Sequence, residues 1–185
     1  MRGIAEELQH DGHDLRITRD RSAADTYLRE RYQNHIDARF GLMASSRDRD
    51  LVRFGVSNDF QSTKRVRYGP WYNDREADEG ERSCRHLREC VTEFGAQGLE
   101  LDAVLLAWGT DFVLRGGAWA IDRARGYRTQ GNAKVRDPWR LRANAYRVLL
   151  TRGRDAHVVF VPCLSELDET WKYLCACGFR ELNQR

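Results

Sequence analysis

The sequence predicts an α/β fold in which a mostly parallel sheet of about five or six strands is flanked by helices. Its first elements follow the order strand 14–18, helix 23–32 and strand 38–44. Consecutive β-α-β elements favour a parallel sheet with right-handed crossovers. The stretch 144–162 repeats the alternation as a helix, a tight turn at Gly153 and an apolar strand of the kind that is buried on both faces.

The first predicted helix is recognised by apolar side chains at helical spacing, which place one face of residues 23–32 towards the core. These side chains are Ala24, Tyr27, Leu28 and Tyr32. Ser22 precedes the helix and is expected to cap it, because a serine hydroxyl can accept from a free amide of the first turn. A short helix is expected at 48–54.

Periodicity is lost over residues 55–83, where Gly69-Pro70 interrupts the chain, and we interpret this stretch as an irregular excursion over one face of the sheet. A short helix at 83–89 then leads to a strand at 90–92, and a further strand is predicted at 103–108. Residues 110–136 contain four glycines and are interpreted as an insertion.

Asp137-Pro138 is a helix start, because Asp is a good N-cap and Pro is tolerated in the first turn. The core-facing stripe of this helix is predicted from residues at helical spacing: Leu141, Ala145, Val148 and Leu149. A closing helix is expected at 167–177, ended by Gly178.

Length and composition indicate one domain over residues 1–185 with a full core. Apolar residues make up 41% of the chain and charged residues 32%. No apolar run approaches the roughly 20 residues of a membrane span, so no membrane partner is expected. The first residues lack the apolar segment of a signal peptide, which makes the cytoplasm the default location.

Cysteine and histidine patterns give no support for a metal site. The five cysteines include no C-x-x-C pair, and an odd number argues against a disulfide framework. The five histidines show no metal-ligand spacing. His157, inside an apolar run, is predicted to be a core histidine. We therefore expect no bound metal.

Basic residues are concentrated in one segment, although the formal net charge is only +3. Residues 110–155 contain eleven Lys or Arg against four Asp, a net charge of +7, which leaves −4 for the remainder. A local basic field suits a phosphate-bearing partner. A solvated surface face explains the same composition, because the charges do not form a dense run.

Two stretches resemble signature motifs of superfamily 1 helicases. YRVLLTRGR at 146–154 resembles their last motif, and VTEFGAQGLELDAVLLAW at 91–108 resembles the motif before it. The two occur in the family's order, and each leads into a predicted strand. From Gly12 to Phe179 the chain is similar to the C-terminal half of an uncharacterised bacterial family of Schlafen-type DNA/RNA helicase domains. The resemblance implies the second RecA-like domain of such a helicase.

On this resemblance, the nucleotide-side residues include Arg152 as a catalytic arginine finger. An arginine finger stabilises charge on the phosphoryl group in transfer. The other residues that match nucleotide-side positions are Gln97, Gly98, Glu100, Thr151, Arg154 and Arg47. For Arg152 the alternative is a surface arginine at a helix C-terminus, and for 97–100 it is a glycine-bearing turn. Arg47 lies out of register with the arginine of an earlier family motif.

The same resemblance assigns nucleic-acid contacts to Thr92 and Phe94, with Ser45 and Ser46 near an earlier motif. Most relatives carry histidine where Phe94 stands. Trp71 is a further nucleic-acid candidate, because every base has a π-face that an indole can stack on. The alternative for the Trp71-Tyr72 pair is packing over the sheet.

The motifs of a helicase's first domain are missing from this sequence. No glycine is followed by lysine, so the phosphate-binding loop G-x-x-x-x-G-K-[ST] is absent. The resemblance then implies that ATP with Mg²⁺ binds only at an interface with a Walker-A-bearing domain, in the same or a separate chain. Single-stranded or duplex nucleic acid is the second expected partner. The alternative is a catalytically inactive nucleic-acid-binding or regulatory module that retains the fold.

Overall fold

The computed structural model describes residues 10, 12–75, 82–126 and 135–182. The strands are β1 (Asp14–Thr18), β2 (Phe40–Ala44), β3 (Cys90–Thr92), β4 (Leu101–Ala107), β5 (Val113–Arg115), β6 (Ala118–Ala120), β7 (Gly153–Phe160) and β8 (Arg180–Glu181). The α-helices are α1 (Arg21–Arg31), α2 (Phe60–Lys64), α3 (Tyr68–Asn73), α4 (Pro138–Leu149) and α5 (Asp168–Ala176). Short 3₁₀ turns lie at Leu51–Phe54, Cys84–His86 and Ser165–Leu167.

Six strands form one parallel sheet in the order β3-β2-β4-β7-β1-β8, which confirms the predicted α/β class and strand number. The central strands β4 and β7 are buried on both faces, as their apolar sequences require. The two-residue strand β8 was not predicted. No helix in the described ranges is long and apolar enough to cross a membrane.

The sheet separates two apolar layers, because successive side chains of a strand point to opposite faces. On one face Val104 and Leu106 pack with Tyr146 and Leu149 of α4. On the other, Leu105 and its strand neighbours pack with Ala24 and Leu28 of α1. Functional side chains are thereby confined to the two ends of the strands. We call these ends the carboxyl edge, formed by the loops that follow the strands, and the amino edge, formed by the segments that lead into them.

The helix starts are partly as predicted. Asp137 caps α4 and accepts a hydrogen bond from the Arg140 amide at 2.9 Å, with Pro138 in the first turn. At α1 the expected cap Ser22 is wrong. Asp20 caps this helix and accepts from the Ser22 amide at 2.8 Å, since its short carboxylate reaches the free donors of the first turn.

The buried face of α4 differs from the predicted stripe. Ala145 and Leu149 are buried as expected, but Leu141 is 45% exposed and Arg142 is only 1% exposed. The buried face is rotated by about one residue from the predicted stripe, because Arg142 pairs with buried carboxylates on the loops beneath the helix. Apolar periodicity cannot anticipate an arginine that is drawn inward by charge.

The stretch 55–83 is more ordered than predicted, since it contains α2 and α3. Residues 76–81 of the excursion lie outside the described residues. The expected insertion at 110–136 contains the β5–β6 hairpin, whose Val113 and Leu114 are buried, and residues 127–134 lie outside the described part. The expected helix at 48–54 is the 3₁₀ turn Leu51–Phe54.

Candidate functional site

The two helicase-like motifs meet at the amino edge. Arg152 ends the turn between α4 and β7, and the turn 97–100 leads into β4. Since β4 and β7 are neighbouring strands with Leu101 opposite Gly153, the turn and the arginine are brought side by side. The Leu101 amide donates to the Arg152 carbonyl at 2.8 Å, which fixes this contact.

The Arg152 guanidinium is half-buried and engaged within the chain. Its Nε donates to the Val148 carbonyl of α4 at 3.1 Å, and its Nη1 donates to the Leu99 carbonyl at 3.3 Å. Its Nη2 donates to the Thr151 hydroxyl at 3.1 Å. A cation at a helix C-terminus is favourable, because the last carbonyls carry partial negative charge. A finger role requires Arg152 to exchange these carbonyl oxygens for phosphate oxygens.

The turn 97–100 presents an open backbone beside Arg152. Gly98 has φ +79°, in the left-handed region that favours glycine, and nothing lies within 4 Å of where its side chain would stand. Gln97 and the Glu100 carboxylate are exposed. Tyr72 donates to the Glu100 carbonyl at 2.8 Å and anchors the end of the turn. The turn is therefore held at its base and accessible at its tip.

Arg154 lies on the same edge but is paired with a carboxylate. Its guanidinium donates to Asp102, whose other oxygen accepts from the Arg39 amide at 2.6 Å. These residues border an open cleft of about 1000 Å³ that is also lined by His13 and Arg31. Beside it, His13 Nε2 lies 2.9 Å from His157 Nδ1. Burial, reinforced by His13, lowers the pKa of His157 to about 3, so this core histidine is neutral near pH 7.

The carboxyl edge holds a buried ionic cluster. Arg142 of α4 donates to Glu93 Oε1 at 2.7 Å and lies 3.2 Å from Asp111 Oδ2. Tyr146 donates to Asp111 Oδ1 at 2.7 Å, and Ser45 donates to Oδ2. We call Ser45, Glu93, Asp111, Arg142 and Tyr146 the Arg142 cluster.

Burial has the largest effect on the pKa of Asp111. It raises the pKa of this carboxyl to about 6, although the charge of Arg142 and the hydroxyls of Ser45 and Tyr146 act in the opposite direction. Burial likewise raises the pKa of the Tyr146 hydroxyl well above its ordinary value, and Asp111 adds to this effect. Tyr146 is therefore a hydrogen-bond donor at neutral pH.

The expected nucleic-acid residues are distributed unevenly around this cluster. Ser46 gives both its amide and its hydroxyl to Glu93 at 2.8 Å each, and Ser45 is fully buried. Thr92 is 4% exposed, whereas Phe94 is 60% exposed. Of these four residues, Phe94 is the one whose side chain is largely open to solvent.

Trp71 does not offer a stacking surface. Its side chain is 1% exposed and packs against Gly41, where a Cβ would lie 2.7 Å from Trp71 Cζ2. This is the alternative in which the tryptophan packs over the sheet. The expectation that Trp71 stacks on a base is wrong for this reason.

Arg47 does not join the other nucleotide-side candidates. It follows β2 at the carboxyl edge, where its Nη1 donates to the Gly126 carbonyl at 3.0 Å, while Arg152 lies at the amino edge. The seven residues of β4 that separate the two edges span about 23 Å at roughly 3.3 Å per residue. The two arginines therefore cannot bind one phosphate group.

The basic segment 110–155 is partly compensated by carboxylates. Four of its arginines are in ion pairs: Arg115 with Asp122, Arg123 with Asp50 and Glu166, Arg142 with Glu93 and Asp111, and Arg154 with Asp102. Arg128 and Lys134 lie outside the described residues. Part of the expected local field is thus neutralised.

Sequence reasoning missed Glu93, Asp111, Arg142 and Tyr146. One signal was available, since polar residues that directly follow buried strands collect at the same edge of a parallel sheet. Arg142 carried no such signal.

Among the described residues, no group of three or more His, Cys, Asp or Glu could hold a metal ion. The amino edge brings together a guanidinium, an open glycine backbone and a carboxylate.

Comparison with known proteins gives one family. The model of the Schlafen group 3, DNA/RNA helicase domain matches residues 2–163. The matched region contains both motifs and strands β1 to β7, and it ends before α5. Neither the curated proteins nor the solved structures contain a significant match.

Proposed function

The chain belongs to the Schlafen group 3 DNA/RNA helicase domain family, and from this premise we propose that it is the C-terminal ATPase half of a helicase or translocase. In this proposal Arg152 is the arginine finger, and Gln97, Gly98 and Glu100 face the nucleotide. Thr151 positions Arg152, to which it is hydrogen-bonded. ATP and Mg²⁺ are held mainly by a Walker-A-bearing domain that docks against the amino edge.

The observation that carries the proposal is the contact between the two motifs. Residues 97–101 and 152 are separated by about fifty positions in the sequence, yet they share a backbone hydrogen bond, from Leu101, and a side-chain hydrogen bond, to Leu99, at one edge. The exposed Gly98 backbone and Glu100 carboxylate leave space there for a ligand. Family membership supplies the reaction class, and this geometry supports the assignment of the nucleotide side.

A second function is favoured by the contacts of Arg152 itself. All three are to groups of this chain, as expected of an arginine that only closes a helix end. In that case the protein is a nucleic-acid-binding or regulatory module without ATPase activity. The two functions differ in what Arg152 does when a Walker-A domain is present.

Reconstitution with a Walker-A protein that copurifies from native extract tests the proposal. The chain alone is expected to show no ATP hydrolysis, because it lacks the glycine loop and lysine that hold the β- and γ-phosphates. The complex should hydrolyse ATP when nucleic acid is present. Arg152→Lys should reduce turnover at least about a hundredfold, because lysine lacks the planar fork that bridges phosphate oxygens.

Arg140→Lys is the matched control, since Arg140 is exposed on α4, the helix that precedes Arg152, and it should leave turnover unchanged. Circular dichroism establishes that both variants are folded. Near-normal turnover by a folded Arg152→Lys complex would exclude the finger role. Robust hydrolysis by the chain alone would exclude the half-site.

A further inference from the structure

Three exposed aromatic side chains lie around the edge strand β3. Phe60 is 71% exposed, Phe94 is 60% exposed and Tyr68 is 40% exposed. Elsewhere the large aromatic residues are mostly packed, as in the rings of Trp108, Phe112 and Tyr146. Exposed rings on one side of the sheet are typical of an interaction surface.

Local packing brings these rings to one surface. The Tyr68 ring lies against Gly95, so closely that a Cβ there would come within 2.6 Å of Tyr68 Cζ. Phe94 is the adjacent residue, directly after β3 at the carboxyl edge. Phe60 begins α2, which packs beside β3. We call Phe60, Tyr68 and Phe94, with the basic residues between them, the β3 surface.

The β3 surface is basic. Residues 60–73 contain three basic residues and no acidic residue. Lys64, Arg65 and Arg67 are all exposed, and none forms an ion pair with a described residue. This contrasts with segment 110–155, where Asp and Glu neutralise several arginines. Lys64 Nζ also lies 5.9 Å from the centre of the Phe60 ring, so the cation and the ring are neighbours on this surface.

We propose that the β3 surface binds single-stranded nucleic acid. Bases stack on Phe60, Tyr68 and Phe94, while Lys64, Arg65 and Arg67 meet the phosphates. Interleaved rings and cations are the combination that tracks a single strand without reading its sequence. A duplex fits less well, because its bases are already stacked on one another. This deepens the nucleic-acid side of the proposed function by naming the contacting residues.

The surface lies apart from Arg152, the arginine finger of the proposed function, although the turn 97–100 follows Phe94 closely in the sequence. Phe94 is next to Glu93 of the Arg142 cluster, whereas Arg152 is at the opposite edge. Binding of nucleic acid to the chain alone therefore does not require a Walker-A partner. The two proposals can fail separately.

Fluorescence anisotropy of the purified chain with a labelled 20-nucleotide oligo-dT tests the surface. Phe60→Ala, Tyr68→Ala and Phe94→Ala should each weaken binding at least about fivefold, since stacking contributes about 1–3 kcal/mol per base. Phe94→Trp should retain binding, because it keeps an aromatic face. Ile36→Ala, which truncates a 62% exposed side chain at the amino edge, is the control and should have no effect.

The charges are tested by titration at about 50 and 200 mM salt. Replacing Lys64, Arg65 and Arg67 by Gln should reduce the slope of log K against log salt by about 2, at roughly 0.7 per phosphate contact on a single strand. Thermal melting establishes that each variant is folded.

Three outcomes overturn the proposal. One is the absence of oligo-dT binding by the unaltered chain. Another is unchanged affinity in all three alanine variants. If polyglutamate also competes as well as oligo-dT, the surface binds polyanions or acidic proteins in general. The third is equal affinity for duplex DNA. Loss of binding in the alanine variants with retention in Phe94→Trp supports it, whether or not a reconstituted complex hydrolyses ATP.

Discussion

The two edges of the sheet use arginine in opposite ways. At the amino edge, Arg152 is half-buried and bonded to two carbonyls and a hydroxyl, next to an exposed turn. At the carboxyl edge, Arg142 is 1% exposed and lies between two carboxylates. The first set of contacts can be exchanged for those of a ligand at little cost. The second can only be broken by leaving charges unpaired in the interior, so Arg142 is expected to hold structure and Arg152 to act.

The largest expected effect is that of Arg142→Ala on stability. The substitution leaves Glu93 and Asp111 buried without their cation, which costs about 3–5 kcal/mol of unfolding free energy. Urea denaturation followed by circular dichroism measures it. Arg140→Ala, on the exposed side of the same helix, should change stability by no more than about 0.5 kcal/mol. A loss below about 1 kcal/mol in Arg142→Ala would contradict the structural role of the cluster.

Two buried titratable groups, His157 of β7 and Asp111 of the Arg142 cluster, should respond to pH in opposite ways. His157 has a folded pKa of about 3, below its ordinary value of 6.5, so its contribution to stability is lost as pH falls below about 6.5. Asp111 has a folded pKa of about 6, above its ordinary 3.8, so its contribution is present at low pH and lost as pH rises through about 6. Between pH 4 and 6 the contribution of His157 to stability therefore increases with pH, whereas that of Asp111 decreases.

Unfolding free energy measured from pH 4 to pH 7 separates these contributions. His157→Gln should lose less stability than the unaltered chain on acidification, and Asp111→Asn should lose more. His35→Gln, at an exposed position, is the control for histidine removal and should follow the unaltered chain. Parallel pH curves for all four proteins would show that neither buried group titrates as described.

The smallest expected effect is that of Arg152→Ala on stability. Its three hydrogen bonds are partly open to water, which can replace them, so the loss should be about 0.5–1.5 kcal/mol. The same urea series measures it beside Arg142→Ala. A loss as large as that of Arg142→Ala would remove the distinction between the two edges.

Most of the fold follows from local sequence patterns. Strand β1 was predicted with its observed bounds, and β4 and β7 are apolar runs bounded by turns. The capping of α4 by Asp137 follows from residue chemistry alone. The helices α2 and α3 were not predicted, because each has at most six residues and is too short to show periodicity.

The functional residues were likewise predicted where a local motif identified them and missed where tertiary contacts decide. The motifs predicted that Arg152 and residues 97–100 act at the same site, and the pairing of β4 with β7 brings them together. The motifs did not show that Trp71 is buried or that Arg47 lies at the carboxyl edge, because burial and edge position depend on tertiary contacts that no short motif contains. The same reason explains why Glu93, Asp111 and Arg142 were not recognised as partners.

The position of β1 has a consequence for synthesis of the chain. This strand pairs with β7 on one side and β8 on the other, and more than a hundred residues separate it from both. At roughly 5–20 residues per second, a ribosome needs on the order of ten seconds to reach β7 after completing β1. During that interval Leu15 and Ile17 lack their sheet neighbours, so the nascent chain is expected to expose a short apolar strand that chaperones can bind.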